Sequence, residues 1–185
     1  MKKVLIMLTF ILGSSVIVAS AQTATKSTIT TSANEVLEGT IKDQMQKKGE
    51  IIFTDAAGSS KRYSPADISG FTMDGVKYIS YANDFYKVVS TGTKASLYVR
   101  VTDNSGKTIF NGAEPVMLTT AEGRKGDYYL QIKADGKFNH VNKKNFLEVV
   151  GTACADCSLV QNSIKSGQLG YDQLAKAVEQ YNNCL

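Results

Sequence analysis

The residues of this chain whose type and spacing could support chemistry are its three cysteines, Cys154, Cys157 and Cys184. The first two form a C-x-x-C motif. In thioredoxin-like enzymes this motif follows a strand of a βαβ unit and opens a helix, which lowers the pKa of the first thiol. Here the sequence predicts no βαβ alternation around the motif, and its usual aromatic and proline neighbours are missing. Extracytoplasmic thiol–disulfide redox chemistry by Cys154 and Cys157 is therefore the alternative function and not the preferred one.

The segments around the cysteines favour a structural bridge instead. Apolar residues recur at three- and four-residue spacing through residues 157–164 and 174–181, which is typical of two amphipathic helices. Two helices joined by a short loop run antiparallel, so the start of the first lies beside the end of the second. This geometry predicts a Cys157–Cys184 disulfide. Closing that loop would stabilise the fold by roughly 3–4 kcal/mol, and Cys154 would be left as a free thiol.

His140, the single histidine, is the other candidate for chemistry. A metal site built from His140, Cys154 and Cys157 lacks a fourth ligand and a recognised spacing. A nucleophilic pair of Cys154 and His140 lacks a third group that would orient it. Sequence motifs of serine hydrolases and phosphate-binding loops do not occur. The sequence therefore names no catalytic residue, no metal ligands and no cofactor. Three aspartates fall in predicted turns, where their side chains support the backbone: Asp74, Asp103 and Asp135.

The N-terminal segment indicates where the protein goes. Lys2 and Lys3 precede an uncharged, largely apolar run over residues 4–18, and Ala19-Ser20-Ala21 fits the small-x-small cleavage rule. Residues 1–21 are therefore predicted to be a secretory signal peptide, with no lipid-anchoring cysteine after it. No second long apolar stretch follows, so we expect no transmembrane segment after signal removal. The predicted location is extracytoplasmic: periplasmic, outer-membrane-associated or secreted.

The charge of the chain argues against nucleic acid as a partner. The whole sequence has 21 basic and 17 acidic residues, and removal of Lys2 and Lys3 leaves 19 basic residues and a net charge of +2. Short basic pairs, such as Arg124-Lys125 and Lys143-Lys144, are scattered among predicted turns. We interpret them as solvated surface because phosphate binding needs clustered cations.

The remainder of the chain predicts an α+β fold. Residues 22–35 are rich in Ser and Thr and are expected to be a flexible leader, and residues 36–185 a single domain. Its first part, 36–141, contains short alternating strands and two Asp-Gly hairpins, at Asp74-Gly75 and Asp135-Gly136. Residues 107–126 are expected to be a long loop with one edge strand. Six to eight strands should form an antiparallel sheet or a partial β-barrel, followed within 142–185 by two to three C-terminal helices.

Aromatic residues on the predicted strands are the remaining candidates for recognition. About half of them should face the core, since side chains alternate along a strand. The others could form a platform for a ligand or protein, because exposed tyrosine suits recognition. We favour ordinary cross-strand pairing that steadies the sheet. The residues concerned are Tyr78, Tyr81, Phe85, Tyr86, Tyr98, Tyr128 and Tyr129.

Several of these motifs together resemble a group of uncharacterised secreted proteins of Bacteroidota. The resemblance rests on residues 63–71 with the following Asp74-Gly75 turn, on residues 85–89 and 95–98, on residues 155–157, and on the ending Tyr-Asn-Asn-Cys at 181–184. Cys154 departs from the pattern. The resemblance implies a β-rich domain followed by C-terminal helices, and it implies no known activity. Because the sequence has no catalytic set and has aromatic strands, we expect a non-enzymatic binding or structural module of the cell envelope, whose partner is an envelope protein or a small ligand.

Overall fold

A computed structural model describes residues 26–184, so the predicted signal peptide and residues 22–25 lie outside the described residues. Ten strands form one sheet in the order β12-β11-β8-β7-β6-β5-β1-β2-β3-β4, and every neighbouring pair is antiparallel. These strands are β1 (Ser27–Thr31), β2 (Val36–Gln44), β3 (Glu50–Asp55), β4 (Ser60–Tyr63), β5 (Ile68–Met73), β6 (Val76–Tyr81), β7 (Asp84–Ser90), β8 (Ala95–Arg100), β11 (Tyr128–Ile132) and β12 (Phe138–Val141).

The sheet has ten strands, more than the six to eight predicted, and it is not closed into a barrel. One extra strand comes from the predicted leader. Within residues 22–35, β1 pairs with both β2 and β5 in the middle of the sheet, and Ile29 is fully buried. The expectation of a leader without fixed structure is therefore wrong for β1. Hydrogen bonds to two neighbouring strands compensate for its low hydrophobicity, which composition alone does not reveal.

Both Asp-Gly hairpins are confirmed. Asp74 and Gly75 join β5 to β6 and have φ angles of 52° and 76°. Positive φ at both central residues is what a two-residue type I′ turn requires. The second hairpin joins β11 to β12, and Asp135 accepts a hydrogen bond from the backbone N–H of Lys137 at 3.0 Å. Short-range turn chemistry therefore fixes the register of these two strand pairs.

The strand registers place a continuous apolar set on one face of the sheet, here called the inner face. Around β1, β3, β5 and β7 this face forms a cluster that includes Ile29, Ile51, Phe71 and Phe85. The short helix α1 (Met45–Lys48) buries Met45 in the same cluster. At the other end of the sheet, inner-face residues of β8, β11 and β12 meet the C-terminal helices. The inner face thus holds two apolar clusters along a single twisted sheet.

Three helices cover the second cluster: α2 (Phe146–Ala153), α3 (Ser158–Lys165) and α4 (Leu174–Asn182), with a 3₁₀ turn at Tyr171–Gln173 before α4. Val150, Val160 and Val178 are fully buried and pack with Leu97 of β8. Strands followed by helices, in one shared core, agree with the predicted α+β class. No helix among residues 26–184 is long and apolar enough to span a bilayer.

A separate hairpin interrupts the region between β8 and β11. Its strands are β9 (Thr108–Asn111) and β10 (Glu114–Met117), which pair with each other and form their own two-stranded sheet. The prediction of one edge strand within a long loop was therefore incomplete. The remaining part of that region, residues 118–127, lies against the face opposite the inner face, here called the outer face, where Ala121 packs beside Tyr86 and Tyr129.

Candidate functional site

The cysteines occupy the end of the helical cluster. Cys157, immediately before α3, and Cys184, just after α4, are joined by a disulfide, with their Cα atoms 5.9 Å apart. Cys154 is free and fully buried. Burial raises the pKa of its thiol to about 12, and Asp156 adds to this rise. A thiol that is neither accessible nor ionised is a poor nucleophile, so this arrangement offers little to redox chemistry at residues 154–157.

The structure does not bring His140 and Cys154 together. On β12, Val141 faces the inner cluster that contains Cys154, whereas its neighbour His140 faces the opposite side of the sheet, beside Tyr129. Neither the nucleophilic pair nor the metal site considered from the sequence can form across the sheet. Within residues 26–184, no group of three or more potential His, Cys, Asp or Glu ligands is gathered.

The predicted strand aromatics divide between the two faces. Tyr78 and Phe85 pack in the inner cluster, whereas Tyr86, Tyr98 and Tyr129 form a cluster on the outer face. The outer cluster is buried rather than open: Tyr86 and Tyr129 are 0% and 1% exposed, and their rings meet edge to face at 4.9 Å. Phe138 of β12 stacks over Tyr98 and over the partly exposed Tyr81 of β6. These aromatics pack against one another, as cross-strand pairing predicts.

A buried ion pair lies beside this aromatic cluster. Arg100, at the end of β8, and Asp84, at the start of β7, have fully buried side chains, with Arg100 Nη2 at 2.7 Å from Asp84 Oδ2. Thr102 Oγ1 and the backbone N–H of Asn104 both donate to Asp84 Oδ1. Burial raises the pKa of Asp84, although the hydrogen bond from Thr102 and the positive charge of Arg100 oppose that rise. Such a pair persists only when its polar atoms are well partnered.

The remaining donors of Arg100 hold the segment 118–127 in place. Arg100 Nη1 donates to the carbonyl oxygens of Ala121 and Gly123 at 3.1 and 3.0 Å. The backbone of Arg100 also exchanges hydrogen bonds with this segment, since its N–H donates to Asp127 O and its carbonyl accepts from Gly126 N. A single buried guanidinium therefore sets the path of the chain on both sides of Arg124.

That path places Arg124 at the edge of a cleft. The cleft has a volume of about 400 Å³ and is lined by three separate segments: the end of 118–127, the connection between β12 and α2, and the 3₁₀ turn before α4. Here Arg124 of one basic pair lies near Lys143 and Lys144 of the other. Their side chains are solvated, as the sequence analysis expects, but they are closer together than their separation in the sequence indicates. The lining residues are Arg124, Asp127, Asn142, Lys143, Lys144 and Tyr171.

Local hydrogen bonds fix the position of the two lysines. Asn142 Oδ1 accepts from the backbone N–H groups of Lys144 and Asn145 at 2.8 and 3.1 Å. In return, Asn145 Oδ1 accepts from Asn142 N at 2.7 Å, and Asn145 Nδ2 donates to the carbonyl of His140. Asn142 therefore stabilises the turn that precedes α2, and the N-cap position of that helix is Asn145.

The acid in the cleft wall is already engaged. Asp127 Oδ2 lies 2.7 Å from His140 Nε2 and accepts a hydrogen bond from Arg124 N at 3.0 Å. Asp127 and His140 are about 85% buried, with exposed fractions of 14% and 15%. Among residues 26–184, the hydrogen-bond partner of the His140 ring is Asp127. This pair ties β12 to the segment 118–127.

The cations are exposed to solvent, and the ring of Tyr171 is half-buried. The side chains of Arg124 and Lys143 are 87% and 74% exposed. The ring of Tyr171 packs edge to face on Tyr128 at 5.6 Å, and Lys143 Nζ lies 6.0 Å from its centroid. The pKa of Tyr171 is raised, first by burial and then by Asp127, so its hydroxyl stays protonated and can donate. Arg124 Nε lies 3.8 Å from Asp127 Oδ1, and Lys143 Nζ lies 3.8 Å from Asp172 Oδ1, so two of the three cations already face a carboxylate across exposed, solvent-screened contacts. The cleft therefore offers three exposed cations, two of them weakly paired, together with a hydroxyl donor and an aromatic ring.

Two cavities of comparable size have a different character. One, of about 390 Å³, lies between the β11–β12 hairpin and α2, and its charged residues are the acids Asp135 and Glu148. The other, of about 470 Å³, lies over β2 to β4, and its charged residues are one cation, Lys61, and two acids, Glu38 and Asp55. Of these three cavities, the one with Arg124 and the two lysines has more cations than acids.

Sequence reasoning missed the residues that build this cleft, because they are brought together only by the fold. The Arg100–Asp84 pair was equally hidden, since an Arg that alternates with apolar residues on a strand predicts a solvated face. No protein-family model matches the chain, and neither a curated protein nor a solved structure matches it. The resemblance to secreted Bacteroidota proteins stays a prediction.

Proposed function

We propose that this protein is a non-catalytic binding module of the cell envelope that takes a small anionic ligand in the cleft between Arg124, Lys143, Lys144 and Tyr171. The observation that carries the proposal is the convergence of three cations on a cavity of about 400 Å³. That volume lies within the range of about 300–1,000 Å³ that small-molecule sites occupy. Arg suits planar carboxylates and phosphates because its fork of donors binds them at two points.

The aromatic ring narrows the ligand class. Tyr171 presents an apolar face next to a hydroxyl, and Asn142 contributes an amide to the same wall. An aromatic face beside cations suits a compact ring that bears an acidic group, such as a sugar acid or a sugar phosphate. The His140–Asp127 pair supports binding rather than hydrolysis, since its partners are structural.

Export of the protein is part of the proposal. The signal-like residues 1–21 support it, and the Cys157–Cys184 disulfide is consistent with an oxidising compartment. Expression in a bacterial host with an intact secretion pathway tests this point. We expect the protein in the periplasmic fraction or the medium with an N-terminus at Gln22, and cytoplasmic protein that retains Met1 would contradict it.

Titration calorimetry of the mature chain with glucuronate, glucose 6-phosphate and inorganic phosphate tests the site, with glucose as the uncharged comparison. Each lost charged hydrogen bond is worth about 1.5–3 kcal/mol, so Arg124→Gln and Lys143→Gln should each weaken binding by about 10- to 150-fold. Lys87→Gln is the matched control, because Lys87 is exposed on β7 outside the cleft and its loss changes the net charge equally.

The binding should also weaken as salt is added, because the interacting cations are exposed. Equal affinity for glucose and for the acidic probes would refute an anion site. An equal loss of affinity in Lys87→Gln and in Arg124→Gln would refute it as well.

A further inference from the structure

The β9–β10 hairpin presents an unusual apolar surface. All of its residues whose side chains are described are exposed, and its two strands form a sheet of their own. Thr108 and Ile109 also line a cavity of about 200 Å³ with residues 48–50 and 64–66 of the main body. Phe110 and Met117 are 73% and 68% exposed, and Ile109 and Val116 are 45% and 42% exposed. The register puts Phe110 opposite Pro115 on one face and Ile109 opposite Val116 on the other. Large exposed apolar side chains on both faces of one short hairpin make it a candidate interaction site.

The hairpin also has an open edge. The carbonyl of Lys107 accepts from Leu118 N at 2.8 Å, so it points toward β10. Because backbone groups alternate in direction along a strand, the N–H and C=O groups of Thr108 and Phe110 point away from β10. They have no backbone partner among the described residues. The opposite edge, on β10, is blocked at Pro115, which has no N–H to donate. Strand β9 therefore offers the edge that can accept another strand.

This edge is complementary to itself. If a second copy lies antiparallel with a two-fold axis at Ile109, Thr108 of each copy faces Phe110 of the other. The outward N–H and C=O groups of these residues then form four hydrogen bonds across the axis. The two Ile109 side chains become direct neighbours on one face, and the two Phe110 rings are buried on the other. The result is a four-stranded sheet in the order β10-β9-β9-β10.

We propose that this protein self-associates through β9 in this symmetric register. A lipid bilayer fits the hairpin less well, because the unpaired backbone groups of both edges would be unsatisfied in hydrocarbon. The interface is small: two strands of four residues each cannot supply the roughly 800 Å² per partner that stable complexes bury. The dimer is therefore weak and reversible, with a dissociation constant expected between about 1 μM and 1 mM.

Sedimentation velocity of the mature chain, from micromolar to millimolar concentration, measures the association. Ile109→Lys should weaken it at least about tenfold, because two like charges would be direct cross-strand neighbours at the axis. Ile109→Glu should do the same. An equimolar mixture of the two variants should recover association to at least the wild-type level, since the opposite charges then face each other. Leu147→Lys is the control, because Leu147 is 66% exposed on α2, away from the hairpin.

Charge-pair rescue in the mixture cannot arise from misfolding, and an unchanged thermal midpoint of each variant checks the fold directly. A wild-type chain that stays monomeric at about 1 mM overturns the proposal. A dimer that is insensitive to Ile109→Lys, or variants that fail to rescue each other, overturns it equally.

Discussion

Removal of the Arg100 side chain is the sharpest test of how this fold is held. We consider Arg100→Met, which keeps much of the aliphatic stem and deletes the guanidinium. The Asp84 carboxylate, with a fully buried side chain, would lose the partner at 2.7 Å, and the carbonyls of Ala121 and Gly123 would lose their donors. Leaving one member of a buried pair alone costs about 3–5 kcal/mol. This is a large part of the total stability of about 5–15 kcal/mol expected for a domain.

Urea unfolding followed by far-ultraviolet circular dichroism measures this loss. With a denaturant slope of about 2 kcal/mol per molar urea, the midpoint should fall by about 2 M. Arg62→Met is the matched control, since Arg62 is 62% exposed and lies 3.5 Å from Glu50. Glu50 is 20% exposed and Arg62 keeps most of its side chain in water, so this partly exposed pair should contribute about 1 kcal/mol or less.

A double-mutant cycle with Asp84→Asn separates the pair from its surroundings. When both charges are absent, neither is left buried without a partner, so the double variant should lose less stability than the two single variants together. The difference should be about 1–3 kcal/mol. A cycle that is additive within error, or an Arg100→Met variant within about 1 kcal/mol of wild type, would refute the reasoning.

The pH dependence gives a second readout of the same pair. Burial already raises the pKa of Asp84 in the wild type, and the positive charge of Arg100 limits this rise. Without Arg100 the folded-state pKa should rise further above the unfolded value of about 3.9. A raised carboxyl pKa means that stability is kept below the unfolded pKa and is lost as pH increases through the folded pKa. The deficit of Arg100→Met should therefore shrink as pH falls from neutral toward about 4.

Two further predictions concern the cysteines. Cys184→Ser should lower the free energy of unfolding by roughly 3–4 kcal/mol, because it opens a loop with a sequence separation of 27. Wild-type protein treated with reductant should show the same loss in urea unfolding. An unchanged urea midpoint in the variant would contradict the disulfide. Burial raises the pKa of the Cys154 thiol to about 12. Between the unfolded pKa near 8.5 and this value, the free energy of unfolding of the wild type should fall by about 1.4 kcal/mol per pH unit because of this thiol. In Cys154→Ala the free energy of unfolding should fall less steeply with alkaline pH, and equal slopes in the two proteins would contradict the prediction.

The parts of the fold that were predictable are those fixed by neighbouring residues. The turn at Asp74-Gly75 and the turn that contains Gly136 need positive φ, and their residue types supply it locally. Strand β1 was not predictable because it has one large apolar residue, Ile29, and owes its place to pairing with β2 and β5. Strand β1 is stable only because it pairs with its two neighbours in the sheet, and its own composition does not indicate this pairing.

The candidate cleft was hidden for a related reason. Its walls come from residues 124–127, 142–144 and 171, and no single segment has a charge pattern that differs from ordinary surface. The role of Arg100 was not predictable from the sequence, because the alternation along β8 predicts one buried face and one solvated face. In the structure, segment 118–127 covers the second face, so Arg100 is 1% exposed. Arg100 therefore has a structural role, because it holds segment 118–127 in place. In that segment, Arg124 lines the cleft and can contact a ligand.

The C-terminal Tyr-Asn-Asn-Cys sequence can be explained in the same physical terms. Tyr181 is buried in the helical cluster, and Cys184 is bonded to Cys157. Between them, Asn182 Oδ1 accepts from the backbone N–H groups of Lys94 and Ala95, and Asn182 Nδ2 donates to the carbonyl of Ala95. The side-chain amide thus pairs with the start of β8 as another strand would. Tyr181, Asn182 and Cys184 therefore attach α4 to the sheet and to the start of α3, which gives three of the four residues of the motif a structural role.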